Sequence, residues 1–322
     1  MVMKKNSFHN YLRRSSKEYM IVIALFISIV VFSMTSKYFF TTKNMLNILL
    51  QCSTIAIIAI GQAFVVLSGN LDLSLGQSVC LSCYVAAILM KKMGVNAWVG
   101  LLVCLACACL VGAINGILIA YIKIPTFIAT LGTMNVCTGL AKIISNSATI
   151  ASLPKEISFI GRGFLFGVVP VSVVIMLLLY IIASFISKKT KLGRYIYSIG
   201  GNKEAAFYSG IKVEKYTMIS FLIAGVCVGL GSIVLLSRLD AATISNGKAY
   251  EFDAVIGCVL GGISMSGGKG KIEQAFLGVL FLTVFFNGMT QLNVNPFVQD
   301  VIKGIVLIAA IAIDVMRNRI KN

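Results

Sequence analysis

The chain has 322 residues, of which 12% are charged and 58% apolar, with a mean hydropathy of +0.93. Soluble domains carry about a quarter charged residues, so an ordinary water-soluble enzyme is excluded. With 4 Pro, 29 Gly and 9 Cys scattered through apolar runs, disordered, collagen-like and disulfide-rich secreted classes are excluded too, and the chain belongs in a bilayer.

A spanning helix needs roughly 20 mostly apolar residues. Eight charge-free runs of 18 or more residues occur, at 19–36, 44–71, 73–90, 93–122, 124–141, 163–187, 216–237 and 274–299. Two further candidates are 254–268, short and glycine-rich, and 297–313, where Asp300 and Lys303 can neutralise each other on one helix face. The expected fold is an all-α polytopic integral membrane protein of about ten transmembrane helices, forming a single transmembrane domain over 1–322. The first run, with its basic start and an apolar stretch ending near Ser33, resembles a signal peptide; reading it as a retained helix completes the ten.

Basic residues set the orientation. Residues 1–19 hold five Lys and Arg, the loop 188–216 seven, and the tail 316–322 three. Six spans separate the first segment from the loop and four separate the loop from the tail. All three therefore fall on one side, expected to be the cytoplasm, with the segment around Lys155 outside. The formal net charge of +17 follows from this topology and from attraction to anionic lipid. The basic residues show no aromatic interleaving, so no nucleic-acid partner is expected.

Groups for catalysis are scarce. The one histidine, His9, lies in the basic N-terminal segment, so histidine-based acid/base or metal chemistry is not expected, and neither a catalytic residue, a metal nor a cofactor is assigned. The nearest pair of acids, Glu251 and Asp253, stands at a span boundary. Gly270-Lys271 is followed by Ile272, and Met265 stands where a phosphate loop needs its first glycine, so nucleotide hydrolysis is not housed here. Cys80 with Cys83, and Cys104 with Cys107, have C-x-x-C spacing inside apolar runs, where cysteine packs as a small hydrophobe.

The loop 188–216 is the longest polar stretch. Within it Gly200 and Gly201 permit a turn, Asn202 can cap a short helix, and Glu204 near its start complements the dipole. Ala205 and Ala206 keep that helix thin, Phe207 and Tyr208 supply aromatic surface, and Gly210 ends it. Such a helix suits another protein's groove; a solvated linker helix is the alternative.

In this context several blocks resemble the ribose-type carbohydrate permease subunits of bacterial ABC importers, within the branched-chain amino-acid/sugar permease group. They are Phe39-Phe40-Thr41 with Asn44, Ser68 through Gly76, Phe127 through Leu131, Leu192 through Ile211, Tyr250 through Ala254, and Val259 through Gly270. The sequence departs from the pattern at Gly69-Asn70-Leu71, where the family has Gly-Gly-Ile. The resemblance implies a multi-pass permease of the bacterial cytoplasmic (inner) membrane, both termini cytoplasmic, translocating a neutral sugar or sugar-like solute. It implies a cytoplasmic ABC ATPase docking on the coupling loop 188–216, an extracytoplasmic solute-binding protein, and a second permease copy or homologue. Rival readings are a branched-chain amino-acid permease and a membrane-embedded lipid-modifying enzyme.

Polar residues inside the spans are candidates for lining the route: Gln62, Asn70, Asp72, Asn115, Thr130, Asn135 and Asn287, with Gln51 beside them. Interhelical hydrogen bonding is the other role open to the uncharged ones. Asp72, the only acid between Glu18 and Glu156, either caps the next helix with Ser74 at the interface or acts as an intramembrane carboxylate. Leu67-Ser68-Gly69 and Leu260-Gly261-Gly262 read either as counterparts in repeated halves with interrupted helices or as simple turns.

Overall fold

A computed structural model describes residues 20–319; the basic N-terminal segment, His9 and the last three residues lie outside them. Each of the ten expected spans contains a helix. They are α1 (Met20–Thr35), α2 (Thr42–Leu67), α3 (Leu75–Lys91), α4 (Ala97–Ala120) and α5 (Thr126–Ser145). After a short α6 (Ser158–Arg162) comes α7 (Val171–Lys189), then α8 (Lys191–Gly201) and α9 (Lys203–Tyr208). The last four are α10 (Val213–Leu239), α11 (Tyr250–Leu260), α12 (Ile272–Gln291) and α13 (Pro296–Arg319).

Seven of these are long and apolar enough to cross a membrane. α11 is not: its 11 residues rise only about 16 Å, so the expected span 254–268 is a half-length helix running into irregular backbone at 261–271. The run 163–187 also divides. Its first residues form a hairpin, β2 (Phe164–Leu165) with β3 (Val169–Pro170), and helix begins only at Val171. A second two-residue pair, β1 (Ile150–Ala151) with β4 (Ala241–Ala242), ties the segment before α6 to the end of α10.

Helix boundaries follow local chemistry. All four prolines stand at helix starts, Pro125, Pro154 and Pro170 as N-caps and Pro296 as a first residue, where a missing N–H costs nothing. Thr41, Asn96 and Thr190 cap α2, α4 and α8 with side-chain oxygens.

Of the seven long spans, α2 and α10 are the most buried and α13 the most exposed. Small residues bring the backbones together, as expected where lipid gives helices no hydrophobic drive to associate. Gly61 faces Ala224, and Gly112 faces Phe221 and Gly225. Cys80, Cys83 and Cys104 are buried in the same core, consistent with packing.

The ion pair expected within α13 does not form. Lys303 reaches across to Asp253 of α11, Nζ to Oδ1 2.8 Å. Helix–helix packing offers a partly buried carboxylate, which the exposed Asp300 one turn away cannot match.

Candidate functional site

The two interrupted regions end their helices in the same way. After α2, the Gly69 N–H bonds Val66 O at 2.9 Å and the Asn70 N–H bonds Val65 O at 3.1 Å. After α11, the Gly262 N–H bonds Val259 O and the Ile263 N–H bonds Cys258 O, both at 2.9 Å. Gly69 (φ +79°) and Gly262 (φ +95°) occupy the left-handed position that such a cap requires. The same cap closes α9 at Gly210 and α12 at Asn293, so it marks a helix end and is compatible with counterpart breaks and with simple turns alike.

The breaks also meet. The Gly268 N–H donates to Leu67 O at 3.0 Å, and α8 closes the junction from the side. Tyr197 Oη donates to Gly270 O at 2.8 Å; burial pushes that phenol up to about 12, so it remains a donor at physiological pH. A Cβ added to Gly200 would press on the Leu67 carbonyl and lie 2.6 Å from the Gly268 nitrogen. No side chain fits between these three backbones. A second link joins α7, which runs directly into α8, to the start of α12: Lys188 and Ser184 both bond Glu273.

α9 has the expected capping. Asn202 Oδ1 accepts from the Ala205 N–H at 2.9 Å, Glu204 lies in the first turn, and Gly210 (φ +79°) follows the helix end. Phe207 and Tyr208 are exposed, but the two alanines part company. Ala205 faces outward, whereas Ala206 is buried against Ile199 and Val213, because successive residues of a helix point about 100° apart. Beside α9 lies a groove of about 360 Å³ lined by Tyr121, Phe207, Ile211 and Lys215 among others.

Four candidate pathway residues converge on the break after α2. Asp72 is buried and its Oδ1 accepts from the Ser74 N–H (2.8 Å) and hydroxyl (2.6 Å). Asn115 of α4 donates to Ser74 Oγ at 2.8 Å and lies 3.5 Å from both carboxylate oxygens, and Thr133 of α5 donates to Asn115 Oδ1 at 2.6 Å. Asn70 accepts from Thr126 at 2.7 Å, one turn from the buried Thr130. Asp72 thus holds the N–H of the residue that opens α3, from a position buried within the protein. The Ser74 hydroxyl makes no cap bond of its own, since it is spent on Asp72.

The remaining candidates lie elsewhere. Gln62 is fully buried with neither amide atom bonded. Asn135 is exposed on α5 and bonds back to Leu131 O. Asn287 exchanges amide hydrogen bonds with Asn44, at 2.8 and 3.1 Å.

Sequence reasoning read Gly200 as a turn and Gly267-Gly268 as part of a family-like block that fails as a phosphate loop, and so missed the junction they form. Its one trace was the pair of glycine-containing blocks at 67–69 and 260–262.

Apolar helices crossing a bundle, two of them ending in breaks that meet against α8, define a polytopic integral membrane protein. The chain belongs to the family described as branched-chain amino acid transport system / permease component, which it matches over residues 44–311. Among curated relatives it is 37% identical over 294 residues to the ribose import permease protein RbsC of Bacillus subtilis, covering 91% of each chain. It is 36% identical to the D-allose transport system permease protein AlsC of Escherichia coli, covering 88% of this chain and 86% of that one. To the galactose/methyl galactoside import permease protein MglC of E. coli it is 32% identical, covering 98% of both. No solved structure matches. Family membership makes the chain a transport subunit and not an enzyme.

Proposed function

We propose that this chain is the membrane permease of an ATP-binding-cassette importer that carries a monosaccharide into a bacterial cell. The solute class rests on the names of its relatives, which give ribose import, D-allose transport and galactose/methyl galactoside import, and on the few charges inside the spans. An external ATPase supplies the energy and docks on 188–216, where Phe207 and Tyr208 project beside the groove at α9. A binding protein delivers solute on the opposite face, and a second permease copy or homologue completes the pathway.

The observation that carries the reading is the three-way backbone junction. A push on α9 moves α8, and α8 touches both helix breaks through Gly200 and Tyr197 with nothing compressible between them. Both breaks then shift together, and with them the starts of α3 and α12. Closing of the ATPases is converted in this way into a change of access.

The test is reconstitution with a cognate ATPase and binding protein. ATP-dependent uptake of D-ribose, D-allose or D-galactose is expected, and uptake of L-leucine with none of the three would replace the sugar reading by the amino-acid one.

A further inference from the structure

A cavity of about 250 Å³ lies among α2, α11, α12 and α13. It sits toward the end of the bundle opposite α8. Asn287, in its wall, bonds Asn44 at the start of α2, whereas Glu273, at the other end of α12, bonds Lys188 beside α8. Gln51, Asp253, Thr283 and Lys303 give the wall its polar groups, and Phe286 gives it an aromatic face.

These are unusual groups for a spanning bundle. Lys303 and Asp253 keep 20% and 10% side-chain exposure, and Lys303 Nζ also stands 5.2 Å from the Phe286 ring centre. Mutual pairing accounts for those two charges. It does not account for Gln51, whose side chain is exposed and hydrogen-bonds no described side chain. Charged and amide groups at membrane depth face water or a polar molecule, not hydrocarbon.

Carboxylate, ammonium, amide and hydroxyl around an aromatic face match a monosaccharide, whose hydroxyls each donate and accept while its C–H face is apolar. The volume equals about eight waters at roughly 30 Å³ each, room for one small polyol. α2 continues the line inward. Residues 51, 55 and 62 share one helix face at 3.6 residues per turn; Ile55 lines the cavity, and Gln62, about 10 Å beyond it, is the buried amide with no partner.

We propose that this cavity is the outer station of the translocation route, holding one monosaccharide in transit, and that Gln62 is the next polar contact on the way to the break after Leu67. The inference rests on the monosaccharide-importer reading above.

The experiment places Gln51→Cys in a transport-competent background free of the nine native cysteines, assembled with its partners in proteoliposomes. Labelling by a membrane-impermeant maleimide is timed with D-ribose, D-allose, D-galactose or L-leucine present. At least one sugar is expected to slow labelling several-fold, with L-leucine inert. In parallel Gln51→Trp, which fills the cavity from a position whose side chain hydrogen-bonds no described side chain, is expected to cut uptake of that sugar more than tenfold per assembled complex. Should that variant fail to assemble, Gln51→Leu replaces it, with a several-fold loss expected. Unchanged labelling with all three sugars, protection by L-leucine, or wild-type uptake in the variant that assembles overturns the transit site. Absence of uptake of any of the sugars by the unmutated complex overturns the importer reading instead.

Discussion

The Gly268 N–H donates to the Leu67 carbonyl at 3.0 Å, joining the break after α11 to the break after α2, backbone to backbone. Gly200 of α8 lies against both atoms of that bond. The surface helix pair and the two interrupted regions therefore form one joint, and most of what can be tested in this protein concerns that joint.

Enlarging it should uncouple transport. Gly200→Val has no room for its side chain, so uptake per assembled complex should fall at least tenfold while the exposed α9 still captures the ATPase. Tyr197→Phe is the milder probe: it deletes one hydrogen bond, about 1 kcal/mol, and should lower sugar moved per ATP hydrolysed. Because the buried phenol titrates only near 12, the proportional loss should be the same at about pH 6 and about pH 9. Wild-type stoichiometry in both variants would remove the joint from the mechanism.

Docking should depend on α9 itself. Asn202→Ala removes the cap on the Ala205 N–H, at about 1 kcal/mol, and Gly210→Leu forces a branched side chain to φ +79°, at roughly 1–3 kcal/mol. Glu204→Lys opposes the helix dipole. Each variant should remain in the membrane and show weaker ATPase pull-down and uptake; unaffected pull-down in all three would leave α9 a linker.

Asp72 separates capping from charge. Asparagine at 72 retains the oxygen that accepts both Ser74 bonds, so Asp72→Asn should assemble normally with an uptake loss smaller than tenfold, about 1.4 kcal/mol. Asp72→Leu orphans the Ser74 N–H and hydroxyl and weakens the hold on Asn115, at roughly 1–3 kcal/mol per buried group, and should lower the yield of complex. A larger loss of uptake in Asp72→Asn, measured against assembled complex, would show that the carboxylate's charge is required.

Sidedness can be read by labelling. Cysteine at position 203 should react only from the cytoplasmic side and cysteine at 155 only from outside, since 188–216 carries seven basic residues. Reaction of position 203 with an impermeant reagent in intact cells would reverse the topology.

The placing of the apolar helices and the capping of α9 were legible in the amino-acid sequence because both are local. A charge-free run of sufficient length partitions into a bilayer whatever its neighbours do, and Asn202, Glu204 and Gly210 act within one short helix. Asp253 and Lys303 show where local spacing stops being informative: α13 offers Asp300 one turn away, yet Lys303 bonds the carboxylate that packing brings to it from α11. Ala206 is similar, turned inward against Ile199 and Val213 although its neighbour Ala205 faces out.

Only the tertiary structure decided that Gly69, Gly200 and Gly268 share one junction and that Gln51 borders a cavity beside an ion pair. Glycine carries no side chain whose chemistry could announce a partner. A backbone contact between segments so far apart in the chain is selected by how α2, α8 and α11 pack, and the cavity is likewise the space left where four helices from both halves of the chain fail to close.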